Sequence, residues 1–152
     1  MRITVIIPTY NEAENLPKLV SVLFSLPLDL DILIVDDNSP DGTGVIADNL
    51  ATENPTKVDV LHRKGKFGLR TAYLTGIERA LAKGSDAIAQ MDADFSHDPK
   101  RLLEMANLLE NRDVVLGSRY VPGGSVDENW PIWRKGLSAF GNFYARTLLN
   151  FS

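Results

Sequence analysis

The feature that most constrains this chain is a regular alternation of short, β-rich apolar runs with longer stretches of helical period. Ile3 to Ile7, Ile32 to Val35, Val58 to Leu61, Ala87 to Met91 and Val114 to Leu116 are aliphatic, mostly β-branched and bounded by polar or turn residues. Such runs predict buried strands. Between them, Leu16, Leu19, Val20, Leu23 and Phe24 mark one helical stripe, and Leu69, Ala72, Tyr73, Gly76, Ile77 and Ala80 another. Asn11 with Glu14 predicts a capping box, while Ser39-Pro40 and Asp98-Pro99 each predict an N-cap followed by a first-turn proline. Strands alternating with helices build βαβ units, so an α/β fold with a mainly parallel sheet in a three-layer αβα arrangement is expected.

Composition narrows the function classes. The 152 residues suit a single domain, 1–152, with room for a core. The absence of cysteine excludes disulfides and thiolate metal sites. A net charge of -4 argues against a nucleic-acid partner, which requires a concentrated basic face. No apolar run approaches the ~20 residues that span a bilayer, and the N-terminus lacks a signal-peptide pattern. The sequence stops at Asn150-Phe151-Ser152, inside an amphipathic helical pattern without a cap, and truncation at the C-terminal end is expected.

In parallel sheets, ligands bind beyond the carboxyl ends of the strands. The first strand is followed by Pro8-Thr9-Tyr10-Asn11-Glu12 and the second by Asp36-Asp37-Asn38-Ser39. The fourth leads into Asp92-Ala93-Asp94 and the fifth into Gly117-Ser118-Arg119-Tyr120. These acids and the arginine would converge on one crevice. Residues two apart in extended chain point the same way, so Asp92 and Asp94 can face one hard cation. Magnesium or manganese takes one or two carboxylates together with water and phosphate oxygens. Read in isolation, the plainer account is that one aspartate caps a helix and the other is a solvated loop residue. Asp37 can accept hydrogen bonds from a base or ribose, and Asp36 reads as a turn acceptor. Arg119 and Arg134 are candidates for phosphate recognition, although Arg134 alone reads as a surface arginine. Lys64 to Gly68 is a flexible basic loop, not a P-loop. His62 reads as structural, and His97 as a second-layer neighbour of the acidic pair or a packing residue. Trp130, Trp133, Phe140, Phe143 and Tyr144 are expected to pack in the core rather than against lipid.

In this order, the motifs resemble those of GT-A-fold glycosyltransferases. Ser96-His97-Asp98-Pro99, Gly117 to Gly124, Trp130-Pro131, Arg134 and Ser138 make the chain similar to polyprenol-phosphate (dolichyl-phosphate) mannosyltransferases of family 2, over essentially its whole length. The resemblance implies transfer of mannose from GDP-mannose to a polyprenyl phosphate lipid, with inversion. It implies that Pro8, Tyr10, Glu12, Val35, Asp37 and Ala93 line the donor site, and that Asp92 and Asp94 hold Mg2+ or Mn2+. Asp94 and Arg119 would be catalytic, and Arg119, Arg134 and Ser138 would bind sugar or phosphate. Ser96 stands where some relatives carry a glutamine that can join the metal shell. The implied setting is peripheral, at the cytoplasmic face of a membrane, with a membrane-anchoring partner or a further C-terminal segment. A UDP-glucose-using relative and a nucleotide-binding module without turnover are the alternatives. A phosphoacceptor receiver domain is excluded, because Pro8-Thr9, His62-Arg63 and Gly117-Ser118 occupy the places of its acids and lysine.

Overall fold

The computed structural model describes residues 1–118 and 131–149; within the last helix, some side chains, Arg134 among them, fall outside the description. The chain forms two compact units, Met1–Glu110 and Asn111–Ser152. The first runs β1 (Ile3–Thr9), α1 (Leu16–Phe24), β2 (Leu30–Asp36), α2 (Thr43–Glu53), β3 (Val58–His62), α3 (Leu69–Ala82), β4 (Ala87–Gln90) and α4 (Arg101–Leu108). Its strands form one parallel sheet in the order β3-β2-β1-β4.

Alternation along the strands divides the core into two layers. Ile3, Val5 and Ile7 of β1 and Leu30, Ile32 and Ile34 of β2 pack against Leu16, Leu19, Val20 and Leu23 of α1, Ala47 of α2, and Leu102 and Ala106 of α4. Ile6, Leu33 and Val35 point to the other face, where Ala72 and Ala80 of α3 cover them. Both faces are thus dry, and the strands read as continuous apolar runs. Gly76 permits the close approach of α3, since a Cβ there would meet Ile6 Cγ2 at 2.6 Å.

Several expectations shift. Phe24 and Leu69 lie at the exposed edges of their stripes. The Asn11/Glu14 capping box does not form: α1 starts at Leu16, and Asn11 is in the left-handed region with φ 62°. The Ser39 cap is likewise lost, because its hydroxyl donates to Asp36 Oδ1 at 2.6 Å and α2 starts at Thr43. Asp41 takes over, accepting from the Thr43 N–H at 3.1 Å and the Thr43 hydroxyl at 2.6 Å. Asp98 does accept the Lys100 N–H, at 3.0 Å, in the turn leading into α4.

Residues 114–116 form no strand, and Val114 and Leu116 are exposed. Three apolar residues without a paired neighbour bury too little to hold an extended ladder. In the second unit, α5 (Ile132–Leu149) exposes Trp133, Phe140, Phe143 and Tyr144, contrary to the expected core packing. The Phe140 and Tyr144 rings stack with centroids 6.2 Å apart. Among the described residues, no helix is long and apolar enough to cross a membrane.

Candidate active site

The chain winds from β1 outward through β2 to β3, then returns to place β4 on the other side of β1. The strand order reverses there, and the crevice at such a switch point is where open α/β sheets bind ligands. A cleft of about 240 Å³ lies at this place, lined by Pro8 and Thr9 at the end of β1, Tyr10 and Glu12 after it, Asp37 after β2, and Asp92, Ala93 and Asp94 after β4. Lys66, Gly68, Leu69 and Ala72 complete the wall from the β3–α3 side.

Cross-loop hydrogen bonds hold the floor. Asp36, buried, accepts from the Thr9 hydroxyl at 2.9 Å, the Ser39 N–H at 3.1 Å and the Ser39 hydroxyl at 2.6 Å. The loop after β1 is then fastened to the loop after β2. The N–H groups of Asn11, Glu12 and Ala13 donate to Ser39 Oγ, Thr43 Oγ1 and Asp41 Oδ2 at 3.1, 2.9 and 3.1 Å. Asp36 is therefore the turn acceptor that was expected. Asn11, Asn38 and Phe95 have φ of 62°, 58° and 59°, each in a loop that follows a cleft-bordering strand. Left-handed backbone at a non-glycine residue is costly, most of all for a bulky one such as Phe95, and it gathers where a site is pre-shaped.

Asp37 is almost fully buried and pairs with Arg63, whose Nη1 donates to Oδ1 at 2.7 Å. Asp92 Oδ1 accepts the Tyr73 phenol at 2.7 Å, and the Asp92 N–H donates to His97 Nδ1 at 3.2 Å. Burial, with the Asp92 hydrogen bond and the charges of Asp92 and Asp94 behind it, pushes the Tyr73 hydroxyl far above its ordinary range, so it remains a donor. Asp94 Oδ1 accepts the Ser96 N–H at 2.9 Å, and this backbone bond, followed by the Ser96 hydroxyl, lowers the Asp94 pKa and keeps it ionised. Glu12 Oε2 accepts from Asn15 Nδ2 at 2.9 Å, and the Lys66 ammonium lies 4.0 Å from the Tyr10 ring centroid.

The structure thus gathers Pro8, Tyr10, Glu12, Asp37, Asp92, Ala93 and Asp94 on one cleft. Val35 differs: its side chain is wholly buried in the layer under α3, so only its backbone is left for a ligand. Arg119 and the Arg134 side chain lie outside the described residues, as do Tyr120 to Gly124 and Trp130; Ser138 is half-buried in α5. His62, at the end of β3, has its Nε2 2.8 Å from Asp48 Oδ1 in an exposed pair. His97 pins the Asp92 backbone. Arg63, Lys66 and Tyr73 were missed, because nothing in a basic loop or an amphipathic stripe marks which side chain will reach a distant strand end.

For a divalent cation, the fit is that of a shared site. Among the described residues, no three histidines, aspartates or glutamates are grouped so that they could hold one metal ion, so Asp92 and Asp94 supply at most a pair of carboxylates. Such a donor set suits a hard cation that completes its shell with water and phosphate oxygens, and it does not suit an all-protein cage.

This parallel sheet, with its acidic strand ends at the switch point, has the GT-A architecture of nucleotide-sugar transferases that its structural neighbours share. The chain belongs to glycosyl transferase family 2, whose family model matches residues 4–151. It is 48% identical over 149 residues to the polyprenol monophosphomannose synthase of Mycolicibacterium smegmatis, covering 97% of this chain and 56% of that protein. It is 46% identical over 152 residues to the undecaprenyl-phosphate mannosyltransferase of Micrococcus luteus, covering 100% of this chain and 62% of that one. The chain therefore spans little more than half the length of these relatives. Among solved structures, it resembles the mannosyltransferase PcManGT of Pyrobaculum calidifontis in complex with GDP-Man and Mn2+. That likeness has a TM-score of 0.63 at 24% identity, covers 75% of this chain and 33% of that one, and bears on the fold.

Proposed function

We propose that this chain is the donor-binding part of a mannosyltransferase that moves mannose from GDP-mannose to a polyprenyl monophosphate, using Mg2+ or Mn2+. The observation that carries the proposal is the convergence of Asp92 and Asp94 with Tyr10, Glu12 and Asp37 on one switch-point cleft. The names of the two curated relatives support the polyprenyl phosphate acceptor and the mannosyl group.

In this reading, Tyr10, Glu12 and Asp37 hold the nucleoside end, and Asp92 and Asp94 face the diphosphate. A bound divalent cation would neutralise charge on the departing GDP, the Lewis-acid role. The acceptor phosphate oxygen attacks the anomeric carbon as the bond to GDP breaks, with inversion. A phosphate monoester is already ionised near neutral pH, its second pKa being about 6, so no general base is required. Catalysis rests on positioning and fixed charge. Arg119, as a catalytic residue with Asp94, and Arg134 with Ser138 would bind the sugar and acceptor phosphates. The enzyme would act peripherally at the cytoplasmic face of a membrane, where its acceptor resides, with a membrane-anchoring partner or a further segment.

The test is calorimetric titration of GDP-mannose and UDP-glucose with and without Mn2+, on the wild type and on Asp92→Asn and Asp94→Asn. GDP-mannose should bind best, and each variant should lose most of the manganese-linked gain while melting as a folded protein. A full manganese-linked gain in both variants refutes the site, and preference for UDP-glucose reassigns the donor. Transfer to a polyprenyl phosphate then separates an enzyme from a binding module.

A further inference from the structure

Three cleft groups contributed by three different strand ends are each touched by a side chain from one short stretch, residues 63–73. Arg63 holds Asp37, Lys66 lies over the Tyr10 ring, and Tyr73 holds Asp92. The stretch runs from the end of β3 into the second turn of α3, and Gly68 and Leu69 within it line the same cleft. We infer that the β3–α3 segment is the positioning clasp of the donor site, with Arg63 setting the base end through Asp37 and Tyr73 setting the cation end through Asp92. The inference rests on the donor-site reading above.

Arg63 is fixed from several sides. Its side chain and that of Asp37 are 10% and 8% exposed, so the pair is nearly dry. Its Nη2 donates to Thr71 Oγ1 at 2.6 Å, and its guanidinium carbon stands 5.4 Å from the Phe67 ring centroid. The Thr71 hydroxyl is itself anchored against the Phe67 and Gly68 carbonyls, at 3.0 and 2.8 Å. A guanidinium held in this way orients Asp37 Oδ1 and leaves Oδ2, which has no partner among the described residues, as the acceptor facing a base. A lysine keeps the charge but not the planar fork.

Tyr73 acts at the opposite end. It is half-buried, and its phenol donates to Asp92 Oδ1, while the His97 ring receives the Asp92 backbone N–H. The carboxylate is thereby held from both the side chain and the main chain, with Oδ2 left for a cation. Hydrogen-bond partners behind a metal ligand fix its orientation, and their loss costs ~10–100-fold in metal affinity. Removing one phenolic oxygen at a half-buried position leaves the packing of α3 largely in place.

The two roles predict a double dissociation, read by calorimetry on the intact chain with GDP and UDP, each with and without Mn2+, alongside thermal melting. Tyr73→Phe should reduce the manganese-linked gain in GDP affinity by about tenfold while leaving the GDP-to-UDP preference and metal-free GDP binding unchanged. Arg63→Lys should reduce the GDP-to-UDP preference by about fivefold to tenfold, as expected for a misaligned charged acceptor, while leaving the manganese-linked gain unchanged. Unchanged ratios, equal losses in both ratios from either variant, or a Tyr73→Phe chain that no longer melts cooperatively would each overturn the inference. A wild-type chain with no manganese-linked gain would overturn the donor-site reading and the inference with it. A wild-type gain that survives Tyr73→Phe overturns the inference alone.

Discussion

The contact between α3 and β1 gives a sharp test of how the cleft is held. At Gly76, a Cβ would lie 2.6 Å from Ile6 Cγ2 and 3.3 Å from both Ile6 Cδ1 and Val35 Cγ2. Ile6 and Val35 are completely buried in the sheet, so neither can swing into open space. Gly76→Ala gains up to ~1 kcal/mol of helix propensity. Against this, overpacking a filled core costs ~1–3 kcal/mol, and a contact an ångström too short belongs at the upper end of that range. The expected net effect is a loss of about 1–2 kcal/mol, or roughly 3–6 °C in Tm for a chain of this size. Urea and thermal unfolding measure it directly. Ile6→Ala removes both clashing atoms and costs ~2–5 kcal/mol by itself. In that background, Gly76→Ala should become neutral or stabilising, a coupling of at least about 1 kcal/mol. A Gly76→Ala protein as stable as the wild type refutes the packing argument. Because Tyr73 lies one turn earlier on α3, the same substitution should also move its hydroxyl away from Asp92 and weaken manganese linkage.

Two further outcomes follow from buried or paired carboxylates. Asp36→Ala leaves the Thr9 hydroxyl and the Ser39 N–H and hydroxyl without their acceptor, and it should cost about 2–4 kcal/mol in urea unfolding; a loss below ~1 kcal/mol would show that water replaces the carboxylate freely. Asp59 is pushed up by burial, but its bonds to Arg79 and Lys83 outweigh this and hold its pKa below 3.8. Its stabilisation is therefore complete above that ordinary value and fades as pH falls through the lowered one. The stability gap between wild type and Asp59→Asn should be constant near neutrality and close on acidification, and a gap that widens in acid contradicts the sign.

The alternation of runs made the α/β fold legible, because dry strands and amphipathic helices have distinct periods. It also made the site's outline legible, because parallel sheets present their ligand face at the carboxyl ends of the strands. Tyr10, Glu12, Asp37, Asp92 and Asp94 could be read as strand-end residues for that reason. The caps could not, since Ser39 and Asn11 bond across loops rather than to their own helices. The three-residue run at 114–116 carries a strand's composition, but a ladder depends on a neighbour that local pattern does not name. Val35 shows two signals in conflict: its apolar run pointed to the core, the family resemblance pointed to the ligand, and its side chain follows the run. Arg63 and Tyr73 were illegible for a different reason. Their partners lie 26 and 19 residues away, a distance over which spacing carries no information.

The charges of the cleft explain why these unread residues matter. Among the described residues, its lining brings Glu12, Asp37, Asp92 and Asp94 against the single cation Lys66. Arg63 neutralises Asp37, and the Ser96 bonds keep Asp94 ionised, so the cleft floor is negative. Like charges a few ångströms apart in a partly dry crevice repel by several kcal/mol, comparable to what a few charge-assisted hydrogen bonds return. In the proposed donor site, a cation that reverses the local sign would therefore strengthen the binding of an anionic donor. Arg63 and Tyr73 treat the two carboxylates differently: Asp37 is paired with a guanidinium, whereas Asp92 keeps its charge because a neutral phenol orients it, which in the proposed reading leaves Asp92 for the cation. Under the proposed donor reading, selectivity for the base and dependence on the metal would be set by two different kinds of partner, a cation and a neutral donor, delivered by the same eleven-residue segment, 63–73.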